Sequence, residues 1–206
     1  MRALAQPTGV PAGRVIVERI GRNALSLHAL ATLRMTVFRN WPYLYDGSAD
    51  YEAAYLSEFL KDDGAVLVIA RVGETPVGMA TASPLATQSD VITAPFIAAG
   101  IDLEPIFYFG ESVLLSQFHG MGIGHRFFDE REAAARAAGA LQTSFCAVAR
   151  PDDHPLRPGD ARDLTPFWEK RGYRPVPHLE TFLDWKDVGE GEETPHRMRF
   201  WMKTLD

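Results

Sequence analysis

The sequence predicts an α/β fold with a mixed central sheet of about seven strands flanked by helices. Three observations carry that prediction. Short β-branched runs alternate with longer stretches of helical apolar spacing. Residues 107–148 read strand, helix, strand, which is a parallel crossover. The runs 65–72 and 76–82, joined by Gly73-Glu74-Thr75, read as an antiparallel hairpin, so both pairing senses are expected in one sheet.

In chain order, residues 1–13 carry Pro7 and Pro11 among glycines and read as a loose tail before a single domain spanning 14–206. Residues 14–20 form the first strand. From Ala24 to Phe38, the residues Leu27, Leu30, Ala31, Met35 and Phe38 recur at helical spacing, and Pro42 closes that helix. The segment 41–48 is aromatic and turn-like. A second helix runs from about Asp50 to Leu60, capped by Ser48 or Asp50.

After the hairpin, residues 83–104 are mixed and polar and show no clear element. Phe107 to Leu115 is a strong strand, followed by a glycine-rich turn and a helix from about Gly122 to Ala138. Glu132 and Arg136 form an i,i+4 pair on that helix, and Gly139 suits its C-terminal stop. Leu141 to Val148 is a strand, and 150–162, with three prolines, is a loop and a candidate lid. A short helix over 163–172 has an early proline and a terminal glycine. Strands at 178–185 and 198–203 flank an acidic loop at 188–193.

The bulk properties narrow the function. At 206 residues, 46% hydrophobic and 23% charged, the chain can bury a real core. A net charge of −6 counts against nucleic acid as a partner. The single cysteine, Cys146, allows no internal disulfide, and its apolar run predicts a buried small hydrophobe. The histidines lack metal-ligand spacing, so no metal is expected. No apolar run reaches the ~18 residues of a membrane span, and the start lacks a signal-peptide core. The expected setting is the cytoplasm, away from membranes.

The most informative segment is His119-Gly120-Met121-Gly122-Ile123-Gly124, between a strand and a helix. Glycines let the backbone approach a ligand, and the first helical N–H groups have no intrahelical partner. Such a place suits a phosphate or pyrophosphate. A phosphate-binding P-loop would need Gly-Lys-Ser/Thr, whereas Gly124 is followed by His125 and Arg126. A Rossmann turn would need G-x-G-x-x-G near the first strand of a βαβ unit, and both the spacing and the place differ.

The turn instead resembles the pyrophosphate loop of the GNAT superfamily of acyl-CoA N-acyltransferases, Gln/Arg-x-x-Gly-x-Gly/Ala. His119 falls where that family has Arg or Gln, and Gly122 and Gly124 fall on its glycines. The order of elements over 14–205 is similar to the GNAT order. Phe167-Trp168-Glu169-Lys170-Arg171-Gly172-Tyr173 resembles the family's late Phe-Tyr-x-Lys-x-Gly-Phe segment.

The resemblance implies a sheet splayed at its middle and transfer of an acetyl or similar acyl group from acetyl-CoA, or another acyl-CoA, to the amine of a small molecule. It implies acyl-CoA contacts at Val113, Leu114, Leu115, His119, Gly120, Met121, Gly122, Ile123, Gly124, His125 and Trp168. It implies a backbone N–H for the developing oxyanion, with Leu114 the expected donor. Trp168 stands where relatives carry a tyrosine acid, and indole is no proton donor of use. Tyr173 is the substitute acid candidate, at a position the family uses for packing. Glu111 is either the base that takes the amine proton or an ion-pair partner of Arg34 or Arg39. Arg34, Arg39, Tyr43 and Tyr45 are candidates for the acceptor site, by gripping a carboxylate or by cation–π contact. A non-catalytic acyl-CoA-binding sensor of the same fold is the competing function. Homodimers are common in the family, so the resemblance allows a homodimer.

Overall fold

The computed structural model describes residues 13–21 and 26–206, so the expected tail and the first turn of the first helix lie largely outside the described residues. One seven-stranded sheet runs in the order β1-β2-β3-β4-β5-β7-β6. Its strands are β1 (Val15–Ile20), β2 (Val66–Val72), β3 (Thr75–Pro84), β4 (Ile106–Leu114), β5 (Gln142–Val148), β6 (Arg174–Trp185) and β7 (Thr194–Thr204). β4 and β5 are the parallel pair, and every other neighbouring pair is antiparallel.

Helices cover both faces. On one face, α1 (Leu27–Phe38) and α2 (Ala49–Phe59) bury Leu30, Leu33 and Leu56 against Leu67, Ile69, Met79 and Val113. α3 (Asp90–Ala98) lies on the same face, with Ile92 and Phe96 against Tyr108, Cys146 and Phe200. On the other face, α4 (Ile123–Ala137) packs Ile123 and Phe127 on Val68, Ala70 and Ala80. Phe128 of α4 joins Phe109, Phe145, Tyr173 and Trp201 there, beside α5 (Thr165–Lys170). Full burial of each large apolar side chain stabilises the fold by about 1.5–3 kcal/mol, which is why period-2 and period-3.6 patterns were readable.

α3 is the element that sequence periodicity missed. Six of its nine residues are Ala, Val, Ile or Phe, and Pro95 lies inside it. Apolar side chains on nearly every side of a short helix erase the amphipathic stripe, and an internal proline reads as a breaker. The Val91 carbonyl, which Pro95 leaves without a helical donor, accepts instead from the Thr181 hydroxyl at 2.5 Å.

Two irregularities shape the middle of the sheet. β4 and β5 pair only from Ile106–Tyr108 to Gln142–Ser144 and then diverge, which opens a cleft between their C-terminal halves. The β3–β4 register also shifts: Ala82 faces Phe109, while Ala80 faces Ser112. Gly110 and Glu111 therefore oppose the single residue Thr81, a β-bulge. The Thr81 hydroxyl accepts the Glu111 N–H at 3.1 Å. A Cβ at position 110 would lie 2.6 Å from that hydroxyl, so the bulge needs glycine there. The extra residue also resets alternation. Tyr108 faces α3, yet Glu111 and Val113, an odd number of residues further on, face α1 and α2.

Candidate active site

Beyond the last β4–β5 pair, β4 keeps one hydrogen-bonding edge free. The Leu115 N–H donates to Val77 of β3 at 3.0 Å. By alternation, the N–H and carbonyl of Leu114 point the other way, into the cleft. Consistent with that direction, Nε2 of His119 lies 3.1 Å from the Leu114 carbonyl oxygen. The expected oxyanion donor thus sits on the open edge of a splayed sheet, with His119 beside it.

The glycine turn closes the same end of the cleft. A 3₁₀ turn at Ser116–Phe118 leads to Gly120 and Gly122, with φ of 79° and 77°. L-residues rarely adopt that conformation, and a Cβ at either position would meet nothing within 4 Å. Glycine is therefore required here by backbone shape, and the turn stays open to solvent. Gly122 is the N-cap of α4, whose first helical bond runs from the Arg126 N–H to the Gly122 carbonyl. The N–H groups of Ile123, Gly124 and His125 have no intrahelical acceptor and face an anion-binding position. Met121 is exposed. These features fit a pyrophosphate, and the free β4 edge fits the amides of an extended pantetheine arm.

α5 stands beside this turn. Phe167 packs on His125 and Phe128, and Arg171 donates to His125 and Asp129. Trp168 lies half-buried on Phe145 and Trp201. Tyr173, the substitute acid candidate, is completely buried. Its hydroxyl is shared between Thr143 at 2.9 Å and Glu132 at 3.3 Å, and burial raises it well above the ordinary phenol range. This corrects the expected acid role: Tyr173 is a core hydrogen-bonding residue with no face on the cleft.

On the opposite face, the bulge delivers Glu111 to a cluster of polar groups. Arg34 of α1 pairs with Glu52 of α2 through Nε and with Glu111 through Nη1. The Arg34 guanidinium also lies 4.5 Å from the centre of the Tyr55 ring. Tyr55 donates to Glu111 Oε2 at 3.3 Å. Burial would lower Arg34, but Glu111, Tyr55 and Glu52 outweigh it and raise it above its ordinary value. The hydroxyl of Tyr45 is hydrogen-bonded to Glu52, and burial with that bond raises its phenol.

Arg34 is thus committed within the protein. The expectation that it grips a substrate carboxylate is corrected by its burial and by its two carboxylate partners. Arg39 is largely exposed and pairs with Asp46 at 2.7 Å, so the two arginines do not form one site. Tyr43 packs between Phe38 and Trp185, as a wall of the helix connection. Glu111 realises the ion-pair alternative with Arg34, and its other carboxylate oxygen accepts from Tyr55.

Glu52 and Tyr55 escaped sequence reasoning, although a signal existed. They are three residues apart on one helix face, with Glu52 four residues before the core residue Leu56. A carboxylate at a core-facing position demands a cation, and Arg34 supplies it. Arg150 and Asp187 were also missed. They form a bidentate pair at 2.7 Å, and Arg150 donates to the carbonyls of Pro42 and Tyr43. That clamp fixes the 41–46 segment against the end of β6. Residues 150–162 follow as an irregular loop whose His154 packs on Trp41.

No family model matches the sequence, and no curated protein matches it. Solved structures do match its fold. A GNAT-family acetyltransferase from Streptococcus pneumoniae is similar over 94% of this chain and 100% of its own, with TM-score 0.57 and 10% identity. The chain has the GNAT fold. A ribosomal-protein-alanine N-acetyltransferase from Brucella melitensis is similar over 92% of this chain and 99% of its own, with TM-score 0.61 and 14% identity. An aminoglycoside 6′-N-acetyltransferase complexed with coenzyme A covers 92% of this chain and 96% of its own, with TM-score 0.56 and 18% identity. The splayed β4–β5 pair and the glycine turn before α4 are where this GNAT fold opens.

Among the described residues, no helix is long and apolar enough to cross a membrane.

Proposed function

We propose that the protein is an N-acyltransferase that moves an acetyl or similar acyl group from acyl-CoA to a small-molecule amine. The observation that carries this reading is the free Leu114 edge of β4 meeting the open N–H groups at the start of α4 in one cleft. The coenzyme A in the aminoglycoside acetyltransferase with the same fold supports the choice of donor. That enzyme's aminoglycoside supports a small-molecule acceptor.

A bound acyl-CoA supplies a thioester carbonyl and a thiol leaving group with a pKa of ~8.5. The N–H groups of Ile123, Gly124 and His125, with the Gly120–Gly122 turn, hold the pyrophosphate. The Leu114 N–H donates to the carbonyl oxygen as negative charge grows on it. Glu111, reached from the α1 and α2 face, receives the proton that the amine must lose. Trp168 offers a packed indole, so departure of the sulfur as thiolate relies on its own acidity.

The test pairs acetyl-CoA binding with a thiol-release assay on an amine panel of kanamycin, spermidine, tryptamine and L-lysine. Turnover on one or more amines is expected. Binding without turnover on any of them favours the sensor reading. In the active protein, Glu111→Gln is expected to lower kcat about 100-fold or more, within the usual range for general bases. Unchanged turnover and an unchanged pH profile would remove Glu111 from the proton path.

A further inference from the structure

We propose that the Tyr55 hydroxyl is the group through which the acceptor amine hands its proton to Glu111, an assignment that rests on the N-acyltransferase reading above. Glu111 cannot be approached directly. Its side chain is 8% exposed, Oε1 faces Arg34 Nη1, and Oε2 accepts from Tyr55. Glu52 is 1% exposed. Tyr55 is 38% exposed as a residue, and its hydroxyl is the end that meets the buried carboxylate.

The chemistry of the cluster suits a relay. Glu111, burial and Glu52 raise the Tyr55 phenol above its ordinary range, so Tyr55 stays a neutral O–H that can accept one proton as it gives another. Its 3.3 Å contact with Oε2 is long for O–H···O, the looseness expected before substrate tightens a catalytic contact. Two carboxylates share one guanidinium. When Glu111 takes a proton, Glu52 still holds Arg34, and no buried cation is left unpaired.

Tyr43, from the loop after α1, also feels the Glu111 charge, and Tyr45, Tyr108 of β4 and Cys146 of β5 share that face. Arg131 approaches from α4 across the sheet, and its guanidinium meets the Glu111 carbonyl rather than the carboxylate. None of these offers a second hydroxyl bonded to the Glu111 carboxylate.

The ammonium form of the amine gives one proton to the Tyr55 oxygen as the Tyr55 proton passes to Glu111 Oε2. The neutral nitrogen then bonds to the thioester carbon, the C–S bond breaks with its electron pair on sulfur, and the nitrogen's second proton goes to the departing thiolate. Glu111 later returns its proton to solvent by the reverse path.

The test is Tyr55→Phe, which keeps the ring over Arg34, with Glu52→Gln as a second variant. The wild type takes the ammonium form, so its kcat/KM for the fastest panel amine is expected to be nearly flat from pH 7 to 9. In Tyr55→Phe, kcat falls about 100-fold or more, and kcat/KM climbs about tenfold per pH unit toward the amine pKa. Glu52→Gln, which leaves Glu111 as the sole anion for Arg34, gives the same steepened profile. Without any acyl donor, calorimetry shows the amine binding Tyr55→Phe about two- to tenfold more weakly, the worth of one hydrogen bond. A Tyr55→Phe protein with wild-type pH profile or wild-type amine affinity overturns the relay while leaving acyl transfer standing. A wild type with no turnover on the panel overturns both.

Discussion

Arg131 of α4 donates to the Glu111 carbonyl at 3.3 Å from the opposite face of the sheet. The same guanidinium reaches the Thr81 carbonyl at 3.3 Å, the Ser112 hydroxyl at 2.8 Å and the Phe127 carbonyl at 3.1 Å. It is sandwiched against the rings of Phe109 and Phe128. Burial brings its pKa down to about 10, which still leaves it cationic at neutral pH. A β-bulge frees backbone carbonyls that the ladder would otherwise satisfy, and Arg131 satisfies them. The bulge that aims Glu111 at α1 and α2 is therefore held in place from α4.

Replacement of Arg131 by Met is expected to cost roughly 2–4 kcal/mol, since the bulge carbonyls lose a charged donor and stay buried. Denaturant titration measures that cost. Acyl transfer falls in the folded variant because Glu111 is no longer aimed, while CoA affinity changes less than threefold. Equal loss of both would place Arg131 in general packing rather than at the bulge.

This arrangement also explains what was and was not legible in the sequence. The hairpin 65–82, the strand before the glycine turn and the crossover to 148 were readable because their apolar periodicities survive into the packed core. The left-handed glycines at 120 and 122 were readable because so few residues fit such a turn. The bulge was hidden. Alternation from Tyr108 assigns even-numbered residues to the face that Glu111 occupies, and only the pairing with Thr81 shows the shift. The Arg34–Glu52–Glu111 cluster joins three elements far apart in sequence, so the sequence could offer the Arg34–Glu111 pair as one alternative but not its third member, Glu52. Tyr173 was misjudged for a related reason: a phenol near a motif looks the same on paper whether it faces a cleft or the core.

At the phosphate end, Gly122→Ala is expected to destabilise the turn by about 1–2 kcal/mol, the penalty of a left-handed L-residue. CoA affinity falls with it, by calorimetry. His119→Ala removes the ring beside the Leu114 carbonyl and one candidate phosphate contact. CoA binding is expected to weaken about three- to tenfold, the range of a single hydrogen bond. The same loss with 3′-dephospho-CoA places the contact at the pyrophosphate. A loss confined to the full cofactor would move His119 to the 3′-phosphate instead.

The clamp at the end of β6 predicts a pH dependence of stability. His196 is buried, stacks on Trp185 at 3.8 Å, and its Nε2 lies 3.1 Å from the Trp185 carbonyl oxygen and 3.4 Å from Asp187. Burial and the nearby Arg150 lower its pKa, against the opposing pull of Trp185 and Asp187. A histidine lowered in the folded state stays neutral there while the unfolded chain takes up a proton below pH ~6.5. The unfolded state then binds more protons, so stability falls as pH falls from that point. Asp187 adds to the trend lower down. Its burial acts to raise it, but Arg150, His196 and the Trp185 N–H hold it below the ordinary range. The stability it contributes is present above ~3.9 and lost as pH falls through its lower folded value. His196→Gln can keep a donor near the Trp185 carbonyl and removes the titration. Its cost at pH 7.5 is expected to be about 1 kcal/mol or less. Thermal denaturation between pH 7.5 and 5.5 should then show a shallower fall in Tm than in the wild type. A slope identical to the wild type would mean that His196 is not the group whose protonation loosens the seam between β6 and the 41–46 segment.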